Sequence, residues 1–242
     1  MKSLLPPAAL FALTLSFASC GQQQQQAPIG DSLALIIGDP LDYGVENILM
    51  FPVGANYNPV VHENADEIAK LSKIGFTDNM SSSLNDRWAE KEYININEQQ
   101  FDIKNILFYN QRTGKTFALL KDTLHILSFA IHREFKKPLI FYRIVKTDIN
   151  GDKKYNSDDA VMLYCSNLHG DSLTQLTPET ERFLDYFYYS DTQMILAKTM
   201  IDGNRDSTFS STDETNFREV NLLAPSAGRE IFSKSLKDSL RF

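Results

Sequence analysis

Residues 138–177, PLIFYRIVKTDINGDKKYNSDDAVMLYCSNLHGDSLTQLT, decide how the chain is read. LIFYRIV (139–145) and VMLYCS (161–166) are short, apolar, and rich in β-branched and aromatic residues, which is the composition of strands. Between them lies DINGDKKYNSDD, with four aspartates and two asparagines in twelve residues. After them a Gly/Asp turn leads into a further short strand, TQLT (174–177). The pattern is strand, acidic loop, strand, turn, strand.

The same pattern recurs. From about residue 100 onward, β-rich runs alternate with Gly, Asn and Asp clusters: NILFYN, TFALL, HILSFAI, PLIFYRIV, VMLYCS, SLTQLT, RFLDYFYY, QMILAKTM, NFREVN and GREIF. Two units, about 122–178 and 179–233, each read strand, strand, acidic loop, strand, turn, strand. Asp148 and Asp202 head the two loops, 202 − 148 = 54 residues apart. A half-repeat at 105–120, NILFYNQRTGKTFALL, supplies the last hairpin alone. Self-similarity at such a period is the mark of stacked repeats, and four strands per unit fits a propeller blade.

VMLYCSNLHGDSLTQLT resembles the blade repeat of bacterial periplasmic β-propellers related to WD-repeat proteins, with an apolar strand, a short Asp/Gly turn and a strand ending in QLT. NILFYNQRTGKTFALL is similar to it less closely. The resemblance covers about residues 105–232 and implies an all-β fold of antiparallel, blade-like four-stranded meanders, a partial or open β-propeller. Propellers close with about 4–8 blades, whereas two units and a half are legible. Either the array stays open, or residues 31–97 contribute divergent strands.

Within that earlier region SLALIIG and ENILMF read as strands. Asn64 and Glu67 stand at capping-box spacing ahead of Ile68, Leu71 and Ile74, which predicts a short helix over 65–74. TDNMSSSLNDRW reads as a loop whose Trp88 is a packing anchor.

The chain opens MKSLLPPAALFALTLSFASC: one lysine, an apolar run from Leu4 to Phe17, then small residues before a cysteine. This is a secretory signal over residues 1–19, too short to span a bilayer comfortably. FASC resembles a bacterial lipobox, which implies lipidation of Cys20 and a membrane-attached mature N-terminus. GQQQQQAP then reads as a flexible tether, with residues 20–30 joining the anchor to a single all-β domain over 31–242. With Cys20 lipidated, only Cys165 remains, so no intramolecular disulfide is expected. Cys165 sits in a strand-like run with no basic neighbour in sequence to stabilise a thiolate, which predicts an inert thiol.

The acidic loops carry the chemistry. A hard cation such as calcium takes 6–8 oxygens, and a twelve-residue loop of the EF-hand type supplies them from positions 1, 3, 5, 7 (a main-chain carbonyl), 9 and 12. In the first loop these are Asp148, Asn150, Asp152, Lys154, Asn156 and Asp159; in the second they are Asp202, Asn204, Asp206, Thr208, Ser210 and Asp213. Every side-chain position holds an oxygen donor in both. Position 8 is aromatic twice, Tyr155 and Phe209, consistent with a residue that pins the loop to the core. The pattern resembles the calcium loops of dockerins and related EF-hand-like proteins, although the flanking runs are strands here. Lys153 and Ser207 occupy position 6, where glycine usually allows a positive φ, at a cost of about 1 kcal/mol each. Asp is also a shorter arm than Glu at position 12. Both departures predict weak, structural calcium sites with dissociation constants of about 0.1–1 mM.

A net charge of -7 and a pI of about 5.1 exclude a phosphate-binding surface and with it nucleic acid. No phosphate-cradling glycine loop, G-x-S-x-G elbow or H-E-x-x-H motif occurs. His62, His125, His132 and His169 stand apart, so zinc is not expected, and each reads as a surface or strand histidine. The sequence therefore points to a lipid-anchored cell-envelope protein, not an enzyme, that serves as a binding module for a glycan or protein. One alternative is a secreted glycosidase-like hydrolase using an acid pair such as Glu90 and Glu92 near Trp88. Another is a structural envelope subunit whose open strand edges pair with a partner.

Overall fold

The computed structural model describes residues 35–56, 101–122 and 124–240, and the expected signal peptide, Cys20, the tether, the helix at 65–74, His62, Trp88, Glu90 and Glu92 lie outside them. Among the described residues, twelve strands form three antiparallel four-stranded sheets, each a simple meander in chain order. The first sheet contains β1 (Leu35–Ile37), β2 (Ile48–Asn56), β3 (Phe101–Asn110) and β4 (Lys115–Ala118). The second contains β5 (His125–His132), β6 (Leu139–Val145), β7 (Val161–Asn167) and β8 (Thr174–Gln175). The third contains β9 (Glu181–Tyr189), β10 (Met194–Ile201), β11 (Glu214–Asn221) and β12 (Arg229–Glu230). A six-residue helix, α1 (Lys234–Ser239), follows.

The half-repeat at 105–120 is thus completed from upstream. β2 pairs with β3 from Ile48↔Asn110 to Asn56↔Phe101, with a register shift after Val53. Divergent strands from the early region, β1 and β2, therefore make up half of the first sheet, which has four strands like the others.

The run LIFYRIV is apolar except for Arg143, without a polar residue at every second position, because the second sheet is buried on both faces. Its period-2 pattern splits between two cores. Ile140, Tyr142 and Ile144 enter one cluster with Ile126, Phe129 and Ile131 of β5 and with Met50, Ile103, Ile106 and Phe108 of the first sheet. Leu139 and Phe141 enter a second, with Leu163 and Cys165 of β7 and with Phe183, Ile195, Ala197 and Val220 of the third sheet. The three sheets stack face to face, with the second in the middle. At about 25 cal/mol per Å² of apolar area, these two cores carry most of the favourable free energy.

Turns lock the stack. Gly170, between β7 and β8, has φ +82 and lies under the Phe108 ring, which a Cβ there would meet at 2.5 Å. Both the backbone angle and the close approach require glycine. The Tyr43 hydroxyl donates to the Leu168 carbonyl of the same turn at 2.5 Å. In the third sheet the buried Glu181 carboxylate accepts from Thr199 at 2.7 Å and pairs with Arg218, tying β9, β10 and β11 at one corner. α1 is capped by Ser233, whose side chain accepts from the Leu236 amide, and it buries no residue of its own. Its Lys237 reaches Glu214 at 2.6 Å and Glu230 at 3.0 Å.

Candidate metal centre

Both acidic loops join the second strand of a sheet to the third: the first connects β6 to β7, the second β10 to β11. The equivalent connection in the first sheet, from β2 to β3, is where residues 57–100 belong. The two acidic loops therefore leave from corresponding ends of their sheets.

The main chain of the two loops follows one plan. At position 4 Gly151 has φ 74 and Arg205 φ 61; at position 6 Lys153 and Ser207 both have φ 64. The left-handed conformation at position 6 is the one that the absent glycine led us to expect. Side-chain oxygens then collect the loop amides in matching order. The position-1 carboxylate takes the amides of positions 4 and 6: Asp148 from Gly151 (2.7 Å) and Lys153 (2.8 Å), Asp202 from Arg205 (2.6 Å) and Ser207 (3.0 Å). Position 3 takes the amide of position 5: Asn150 from Asp152 (3.0 Å) and Asn204 from Asp206 (3.1 Å). Position 5 takes that of position 7: Asp152 from Lys154 and Asp206 from Thr208, both at 2.8 Å.

Position 12 closes each loop by reaching back across it. Asp159 accepts from the amides of Ile149 and Asn156, each at 3.0 Å; Asp213 accepts from Gly203 at 3.2 Å and Ser210 at 2.8 Å. At position 9 Asn156 takes the Asp158 amide at 2.7 Å and Ser210 the Thr212 amide at 3.3 Å. These bonds make each loop a run of Asx turns. Among the described residues, no three His, Cys, Asp or Glu side chains converge closely enough to hold a metal as they stand.

The electrostatics of the loops differ. Burial pushes the Asp159 carboxyl above its ordinary range, and repulsion from Asp148 and Asp152 adds to that, against the two amides it accepts. Asp206 is exposed and lies below its ordinary range because Thr208 and Asn204 hydrogen-bond its charged form.

The position-8 aromatics do not enter a core. Tyr155 is 39% exposed and stacks on His125, ring centres 3.7 Å apart, with Lys104 of β3 at 5.7 Å from its ring. His125 also meets Asp102, which pairs with Lys104 at 2.5 Å. Tyr155 is held by a polar cluster at the seam of the first and second sheets instead of by apolar side chains. Phe209 lies beside Arg182 of β9, 6.0 Å from its guanidinium carbon. Spacing within the loops gave no hint of either contact, because both partners lie outside the loops, His125 on β5 and Arg182 on β9, each the first strand of its sheet.

Of the other residues singled out, Cys165 is buried and its thiol is pushed up to about 12 by that burial, so it carries no thiolate at neutral pH. His125 and His132 are buried strand residues, and His169 is exposed in the β7–β8 turn. Comparison of the chain with known protein families, characterised proteins and solved structures found no match.

Proposed function

We propose that the two loops are calcium sites and that the protein is a lipid-anchored, cell-envelope binding module built on blade-like, propeller-type sheets. The observation that supports the sites most is the identical arrangement of acceptors and left-handed residues in two loops of different sequence. Turn chemistry alone explains one such loop but gives no reason for the same positions 1, 3, 5, 9 and 12 to bear oxygen twice. A cation arriving at the first loop relieves the repulsion from Asp148 and Asp152 that adds to the burial raising Asp159, while Asn150, Asn156 and the Lys154 carbonyl complete an oxygen shell.

Calcium in this role fixes loops at one end of the stack and leaves that end as a rigid surface for a glycan or protein. Membrane attachment through Cys20 places the module in the envelope, on the outer membrane facing the periplasm or the surface. Thermal melting of the chelator-treated protein tests the sites. Calcium at millimolar concentration raises the melting temperature, and Asp152→Ala removes most of the rise. An unchanged melting temperature with calcium overturns the reading.

A further inference from the structure

We propose that two copies of this chain associate head to tail, the outer face of the third sheet of each packing on the outer face of the first sheet of the other. On the first sheet Ile48, Met50 and Ile106 point into the core. The alternate residues Leu49, Phe51 and Leu107 therefore form the outer side, joined by Leu35 and Ile37 of β1. Leu35 is 72% exposed and Ile37 57%. None of these five carries a charge, so an apolar strip crosses three strands at this end of the stack. On the third sheet Ile195, Ala197 and Val220 point inward, which turns Phe187, Leu196 and Phe217 outward. Phe217 lies between Phe187 and Phe232, at 6.0 and 6.3 Å between ring centres. Phe232 is 40% exposed and Tyr189 48%. Lys198 and the Glu219–Arg229 pair border this apolar centre, as a polar rim borders an interface. Met200, nearer the acidic loop, is already covered, so the contact centres on the half toward the β9–β10 turn.

The repeat indicates what fits these faces. Leu163 and Phe217 each stand four residues after position 12 of their loops (163 − 159 = 217 − 213 = 4). Leu163 packs toward the third sheet, whereas Phe217 faces out. The third sheet thus turns outward the side that the second sheet buries against its neighbour, and the first sheet has the matching side open. A head-to-tail contact continues the order of the stack, and a twofold axis makes two such contacts identical and closes them. Two copies bring twice three sheets, and six lies within the about 4–8 that close a propeller. Area favours two contacts over one. At about 3.3 Å per residue and 4.8 Å between strands, a four-stranded sheet of this size presents roughly 400 Å² on a face. A single contact then buries about 800 Å², too little for a stable dimer, while two bury up to about 1,600 Å², the usual size of a specific interface.

Analytical ultracentrifugation of the full chain in detergent, with a chelator present, tests this directly. The expected protein mass is twice the 27.5 kDa of one chain. Ile37→Lys on the first sheet and Tyr189→Lys on the third each halve it, because either residue lies in both contacts. Both positions are exposed, and an unchanged near-ultraviolet circular dichroism spectrum shows that the variants keep their fold. A single-chain mass for the unaltered protein overturns the inference and leaves residues 57–100 as the cover of these faces. A dimer that survives either substitution also overturns it, since the contact then joins like faces or lies elsewhere. Because calcium is absent, failure here leaves the calcium reading intact, and a chain that takes up no calcium can still pair.

Discussion

In the first loop the closing carboxylate, Asp159, is fully buried and the chain leaves through Ala160 into the core; in the second, Asp213 is half-buried and the chain leaves through Glu214, which Lys237 of α1 clamps at 2.6 Å. Position 4 is glycine in one and arginine in the other, yet both adopt positive φ. The shared backbone follows from the acceptors at positions 1, 3, 5 and 12, because those are the groups the loop amides find in both. What surrounds the acceptors sets how much each loop depends on them. The first is tied to the core and strained by charge, while the second is tied to a surface helix and strained by its backbone.

The largest expected difference lies at position 12. Asp159→Ala leaves the amides of Ile149 and Asn156 without their acceptor in a buried place, and a loss of about 3 kcal/mol is expected. Asp213→Ala exposes its amides to water more readily and costs about 1–2 kcal/mol. Urea unfolding midpoints check both, and equal losses break the contrast between the loops. At position 4, Gly151→Ala is expected to cost about 1 kcal/mol and Arg205→Gly to gain up to about that much. If Arg205→Gly is destabilising, strain is not what distinguishes the second loop.

Much of this was legible because strands in a stacked array announce themselves. LIFYRIV and VMLYCS carry the apolar signal of elements buried on two faces, and the acid positions recur at a fixed interval. The upstream half of the first sheet was harder to assemble. β1 has only three residues, β2 contains Pro52 and Gly54, and residues 57–100 interrupt the interval that reveals the other repeats. α1 was missed because six residues offer too little periodicity, with Ser233 as the one local signal. The Tyr155–His125 stack and the Arg182–Phe209 contact join each loop to the first strand of its own sheet, a pairing that spacing within the loops does not encode.

The smallest expected effect concerns the helix clamp on the second loop, for which the first has no counterpart. The hydrogen bond from Lys237 holds Glu230 below its ordinary value of 4.5, so its contribution is present above that pH and is lost as pH falls through the lowered value. Burial alone lowers Lys237, but hydrogen bonds to Glu214 and Glu230 outweigh it and raise the group above 10.5. Its contribution is therefore present below that pH and is lost as pH rises through the raised value. Docking of α1 is strongest between these limits and contributes about 0.5 kcal/mol after solvent screening. Leu236 resonances followed across pH by NMR are expected to shift at both limits. In Lys237→Ala, whose clamp is gone, they stay flat; shifts that survive that change show that the clamp does not hold the helix.

Calorimetric titration of the chelator-treated protein with calcium tests the central claim most directly. Two weak sites per chain are expected, in the range of about 0.1–1 mM, with Asp152→Ala removing one and Asp206→Ala the other. Absence of calcium uptake, or uptake that survives both substitutions together, would contradict the assignment of the two loops as cation sites.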